Sequence, residues 1–186
     1  MSDVTQFLIH RRSYPLLAEP APSSEHLEIM FTAAIAAPDH AQLQPYRFIV
    51  FTGDRLRYLG ELYAESLLEA GETEAIVIER ARGLPVRAPM VIAAIACVQT
   101  DNPKVPAQEQ VITAGLATLQ LINSAESLGY GAYWRTGSIA YHPIVAKKLG
   151  LDANEAVIGF VYVGTPKGQP KPINKNKGAR DIFSFG

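Results

Sequence analysis

The chain has 186 residues, 48% of them hydrophobic, and a formal net charge of −1. That length suits one domain with a sizeable core, and so balanced a charge gives no general pull toward nucleic acid or a membrane surface. One cysteine, Cys97, excludes an internal disulfide framework, and its apolar surroundings predict a buried structural thiol. The opening residues MSDVTQFLIH lack the long apolar core of a signal peptide. The longest apolar run, PMVIAAIACV, is too short to span a bilayer. The expectation is a cytoplasmic, single-domain protein over residues 1–186. From Thr165 onward the chain carries +4, against −5 for the rest, and it is rich in Pro and Gly. Residues 165–186 therefore read as an extended or disordered C-terminal arm, whose DIFSF end needs apolar cover.

Taken in chain order, Val4 to Arg11 has helical spacing, and EPAPSS is a loop. Ser23 or Ser24 caps a helix running to about Ala36. YRFIVFTG is a strand ended by Gly53, after which Asp54 is expected to cap a helix carrying Leu56, Leu59, Leu62, Tyr63 and Leu67. Glu72 to Arg82 forms another helix. PMVIAAIACV lacks alternation and reads as a strand buried on both faces. Gln108 to Leu128 is a long helix, apolar nearly all round, and so predicted to be buried in a core or between subunits. YGAYWR is a short strand, HPIVAKKLG a helix closed by Gly150, and EAVIGFVYVG the last strand. Four strands among about six helices predict an α+β fold in one layered domain and leave the strand order open. No GxGxxG unit and no GxxxxGK[ST] loop is present. The four histidines lack metal-ligand spacing, so no metal site is expected.

Three polar stretches interrupt these apolar elements. Arg11, Arg12 and Ser13 offer two guanidiniums and a hydroxyl, a set suited to a phosphate; cations that close a helix C-terminus are the alternative. In APDHAQLQPYRF, the residues Pro38, Asp39, His40 and Gln44 either present donors to a ring edge or form a turn in which Asp39 bonds backbone amides. In YWRTGS, Trp134, Arg135, Thr136 and Gly137 either bring backbone close to a flat ligand or simply end a strand. Together the three suit a phosphorylated planar cofactor.

These stretches, with EQVITAG in the long helix, LGYGAYWRTG and IGFVYVGTP, occur in an order that resembles the flavin-dependent nitroreductase family, especially its short bacterial members of the YdjA type. The match runs from about Phe7 to Pro166. The resemblance implies an α+β fold around a central mixed or antiparallel sheet of about four strands, in an obligate homodimer with one FMN per subunit at the interface. It also implies ping-pong chemistry, in which NAD(P)H reduces FMN and the flavin then reduces a nitroaromatic, quinone or similar small-molecule acceptor. It implies that Arg11, Arg12 and Ser13 hold the phosphate and ribityl chain. Pro38, Asp39, His40 and Gln44 meet the flavin, with His40 reaching across the dimer. Trp134, Arg135, Thr136 and Gly137 lie along the isoalloxazine, with a backbone N–H near N5 and O4; hydride chemistry is carried by the flavin rather than by a protein acid. No membrane or nucleic-acid partner is implied.

Several positions depart from the family pattern. Pro15 stands where many members have a basic residue near the flavin N1–O2 edge, leaving the charge that steadies reduced flavin without an evident source. Tyr46 replaces a common Trp and Thr136 a common Ser. Lys175, Lys177 or Arg180 are the tail candidates for a phosphate contact. The Arg55–Arg87 region leaves little room for the extra helices of larger relatives. A second reading is a flavin-binding module without turnover, serving as carrier or sensor; a third is a likeness of fold alone.

Overall fold

A computed structural model describes residues 2–170 and 178–186. The elements are α1 (Asp3–His10), β1 (Leu17–Ala18), α2 (Ser24–Ile35), β2 (Tyr46–Thr52), α3 (Asp54–Glu69), α4 (Ala75–Arg82), β3 (Met90–Cys97), α5 (Ala107–Ser127), β4 (Gly131–Arg135), α6 (Pro143–Lys148) and β5 (Glu155–Pro166). Single 3-10 turns cover His40–Gln42, Pro85–Arg87 and Ala179–Asp181. The strands form one antiparallel sheet in which β5 is central. β3 and then β2 lie on one side of it, and β4 lies on the other, with β1 pairing beyond β4 at Thr165 and Pro166.

The sheet therefore has five strands among the described residues where four are expected, and every pairing is antiparallel. The fifth, Leu17–Ala18, is two residues long and carries no local pattern; its partner, the end of β5, holds it. β5 runs to Pro166, so the first two residues of the expected arm belong to the sheet. Of the remainder, 178–186 are exposed, including Ile182, Phe183 and Phe185. Lys175 and Lys177 lie outside the described residues.

Caps follow local chemistry. Ser23 Oγ accepts from the His26 N–H and starts α2. Asp54 does not cap α3: Gly53 is the N-cap, and Asp54 is the first helical residue, its carboxylate pairing with Arg57. At this position the acid complements the helix dipole instead.

Alternation along β5 sorts the core into two layers. Val161 and Val163, with Met90, Ile92 and Ala132, pack beneath Met30 and Ala34 of α2 and Ala117, Leu121 and Ala125 of α5. Phe160 and Tyr162, with Phe51, Val91 and Ala93, pack beneath Leu56, Leu59 and Tyr63 of α3 and Val145 of α6. β3 is covered on both faces, as its unbroken apolar run requires. The long helix α5 is not buried all round: Val111, Ile112 and Leu119 are 41%, 53% and 40% exposed, forming an apolar outer face.

Candidate functional site

Arg11 is the C-cap of α1, and Arg12 and Ser13 follow it out of the helix. The Arg12 N–H donates to Glu126 Oε1 at 3.1 Å, near the end of α5. Its guanidinium donates to the carbonyls of Arg11 (2.9 Å) and Ile9 (3.3 Å). Arg12 thus does close the helix end, while Ser13 stays exposed. Two residues on, the Tyr14 N–H donates to Ala132 O, which fixes this segment beside the start of β4. Burial pushes the Glu126 carboxyl above its usual range, opposed by the Arg12 N–H and the charges of Arg11 and Arg12. Sequence reasoning missed this Glu126 contact, because its partner lies 114 residues away.

The 38–44 loop is tightly wound. Asp39 Oδ2 accepts from the Gln44 N–H at 2.6 Å, so the turn reading of Asp39 is correct as far as its own contacts go. Ala41, Gln42 and Gln44 have φ of 62°, 54° and 48°. Three non-glycine residues in the left-handed region carry strain that a plain connection has no need to keep. Pro38 and His40 are exposed. His40 Nδ1 lies 2.8 Å from Glu109 Oε2, at the start of α5 in the same chain. Ala37, Asp39, Gln42 and Gln44 line a cavity of about 300 Å³ with Ile35.

The arginine segment and the loop therefore sit at opposite ends of one helix. Glu126 and Glu109 are 17 residues apart on α5, about 25 Å at ~1.5 Å per residue. Sheet register agrees, since the loop leads into Tyr46 opposite Ala96, at the end of the sheet away from Gly131. Within a single chain the two motifs cannot line one compact pocket.

Between them lies the end of β4. Trp134 and Arg135 point to opposite faces, as strand alternation dictates. The Trp134 ring packs on the α2–α5 side, over Gly159, and Nε1 donates to Ile158 O at 3.3 Å. Arg135 stacks on the other side against Tyr133 and Tyr162, its guanidinium carbon 4.5 Å and 5.1 Å from the ring centres. Thr136 and Gly137 are exposed, and among the described residues no hydrogen bond takes up either N–H. Gly137 has φ +114° and no atom within 4 Å of where a Cβ would stand. The need for glycine there is conformational rather than one of space. Thr136, Trp134 and Arg135 line a second cavity, of about 330 Å³.

A further network lies at the 155 end of the sheet. Glu155 receives both Arg47 Nε (2.6 Å) and Nη2 (2.7 Å), as well as the Asp152 N–H. The bidentate Arg47 bond, with the Asp152 N–H, holds the Glu155 carboxyl down at about 2. Cys97, expected to be a buried structural thiol, is instead half-buried and donates to Glu155 Oε1 at 3.2 Å. Burial and the nearby carboxylate raise its thiol to about 12, so it stays protonated at neutral pH. Among the described residues no group of His, Cys, Asp and Glu is arranged to hold a metal ion. No described helix is long and apolar enough to cross a membrane.

Comparison with known proteins places this arrangement. The sequence matches the family described as "Nitroreductase family" over residues 8–165. It is 36% identical over 165 residues to a protein of Escherichia coli (strain K12) named "Putative NAD(P)H nitroreductase YdjA", covering 89% of each chain. Its fold is similar to that of a nitroreductase-like family protein from Bacillus cereus, with a TM-score of 0.83 at 18% identity, covering 100% of this chain and 97% of that one. It is also similar to a mutant of the FMN and NADPH-dependent nitroreductase NfnB from sphigopyxis sp. strain HMH, with a TM-score of 0.78 at 15% identity and 99% of both chains covered. A family match across most of the chain, joined to the same fold and to the order of motifs along it, shows that this chain belongs to the nitroreductase family.

Proposed function

We propose that the protein is an FMN-dependent oxidoreductase that takes hydride from NAD(P)H and delivers it to a nitroaromatic, quinone or similar acceptor by a ping-pong mechanism. It works as a homodimer with the flavin between subunits. The observation that carries this reading is the separation of the motifs along α5. A two-fold axis across the exposed Val111, Ile112 and Leu119 face would pack α5 antiparallel to its copy. The partner's loop 38–44 would then fall beside this chain's Arg11, Arg12 and Ser13. One site would be completed from two chains, which also explains why neither half is complete alone.

The residues fit the cofactor. Arg11, Arg12 and Ser13 offer cationic and hydroxyl donors to a phosphate at the start of β4. The unclaimed N–H groups of Thr136 and Gly137 offer donors to ring acceptors at its end. Bound flavin supplies the hydride-accepting chemistry; the chain's own residues bind, orient and cover it. The name of the E. coli relative supports NAD(P)H as donor, and that of NfnB supports FMN.

The test is the purified protein. Light scattering at micromolar concentration gives twice the chain mass, the visible spectrum shows bound FMN, NAD(P)H bleaches it, and a quinone or nitroarene restores it. A yellow protein that NAD(P)H leaves unbleached would be a carrier or sensor. A colourless monomer that takes up no added FMN would sink the reading altogether.

A further inference from the structure

The C-terminal end of α5 holds two buried acceptors that nothing answers. Glu126 Oε1 accepts from the Arg12 N–H at 3.1 Å. Its Oε2 is buried and, among the described residues, has no hydrogen-bond partner. Asn123 Oδ1, one turn earlier, is buried and orphaned in the same way. Residues three apart share a helix face. A carboxylate cut off from water on one oxygen is costly when no donor meets that oxygen. A proton on Oε2 changes this: the carboxyl gains an O–H to donate, and Asn123 offers an acceptor on the same face.

What Glu126 holds is the arginine segment. The Arg12 N–H is tied to Oε1 and the Tyr14 N–H to Ala132 O. The Tyr14 side chain lies over Gly131, where an added Cβ would stand 2.9 Å from it. Ser13 is exposed between these anchors. Burial favours the neutral carboxyl of Glu126, while the Arg12 N–H and the charges of Arg11 and Arg12 favour the carboxylate. Other titratable groups at this end of the molecule are engaged elsewhere or exposed. His26 Nδ1 of α2 lies 2.9 Å from the Tyr130 hydroxyl, and His10 Nδ1 of α1 lies 2.8 Å from Gln6 O. Glu25 and Glu28 of α2 are exposed. The balance at Glu126 is therefore set by the same two arginines that suit a phosphate. An anion bound to them cancels the charges that favour the carboxylate and adds a repulsion of its own.

We propose that Glu126 is a proton-linked positioning residue: it holds the Arg11–Ser13 segment in place and takes up a proton at Oε2 when a phosphate monoester binds there. The proposal deepens the flavin reading above and rests on it for the ligand, the phosphate of FMN. The complex then holds the proton more tightly than the free protein does. Affinity gained this way is full below the Glu126 value of the free protein, itself above the ordinary 4.5. It is lost as pH rises through the higher value of the complex.

The experiment titrates FMN, and separately inorganic phosphate, into the full-chain apoprotein by calorimetry in buffers of different ionisation enthalpy. Wild type is compared with Glu126→Gln and Glu126→Ala. Glutamine keeps an oxygen for the Arg12 N–H and carries a fixed donor where the proton would sit, so it imitates the protonated carboxyl. Wild type is expected to take up more protons than Glu126→Gln, by up to about one per ligand. Titration of the ligand's own phosphate is common to all variants and cancels. Glu126→Gln should bind FMN at neutral pH at least as tightly as wild type. Glu126→Ala, which frees the Arg12 N–H, should bind about fivefold more weakly. Equal proton uptake in wild type and Glu126→Gln overturns the proposal, as does a loss of affinity in Glu126→Gln as large as that in Glu126→Ala. The proton count of Glu126→Gln decides the matter even where Glu126→Ala fails to fold. If wild type refuses FMN but binds inorganic phosphate with the same Glu126-dependent uptake, the flavin reading falls and the proton linkage stands. If neither ligand binds, both fall.

Discussion

Gly159→Ala tests how Trp134 is seated. β5 carries an irregularity here: Ala94 faces Gly159 while Ile95 faces Val157, so one extra residue bends the strand toward β4. A Cβ on Gly159 would stand 2.0 Å from Trp134 Nε1 and 2.9 Å from the Arg135 carbonyl oxygen. The indole can swing; the backbone oxygen cannot do so without moving β4. Swinging the indole breaks the Nε1 bond to Ile158 O, about 1 kcal/mol, and overpacking adds roughly 1–3 kcal/mol. The expected cost is about 3 kcal/mol, which for a chain of this size lowers Tm by about 6–12 °C. The assay is thermal unfolding followed by circular dichroism, alongside fluorescence. Trp134 is the single tryptophan, so its emission reports this contact without interference and should move to longer wavelength. An unchanged Tm with an unchanged emission maximum would show that the indole does not lie over Gly159.

Glu155, held down at about 2, contributes stability that is present above its unfolded value near 4.5 and is lost as pH falls from there toward 2. A fall of that size is worth about 3 kcal/mol, discounted to about 2 kcal/mol because Arg47 is 38% exposed. Glu155→Gln should flatten the acid limb of stability against pH, and an equally steep limb in urea titrations at pH 3–5 would contradict this. Arg12→Ala should weaken FMN about ten- to hundredfold, and more than His40→Ala does, because a charge-assisted bond to phosphate outweighs a neutral one; fluorescence titration of apoprotein giving the reverse order would show the phosphate misplaced. Gly115→Ala discriminates the assembly. Its Cβ would meet nothing within 4 Å in one chain, so a monomer should gain about 0.5–1 kcal/mol, whereas a dimer packed on this helix should lose stability and dissociate more readily by light scattering.

Local chemistry was legible in the sequence. Helix and strand periods, the Ser23 cap, the doubly buried run of β3 and the Gly150 end of the HPIVAKKLG helix depend on neighbours within a few residues, and they stand close to where the pattern puts them. The three polar stretches were visible for the same reason: each breaks an apolar element. What depends on distant partners was not. The two-residue strand at Leu17 exists only because the end of β5 lies beside it. Glu126 under Arg12, Glu109 beside His40, and the Arg47–Glu155–Cys97 cluster join residues 58 to 114 positions apart. Most of all, the sequence placed the arginine segment and the 38–44 loop in one site without saying that about 25 Å of one helix lies between them. Periodicity is a property of short segments. Which segments meet, and which stay apart, is set by register and by helix length, and these are fixed only when the sheet closes.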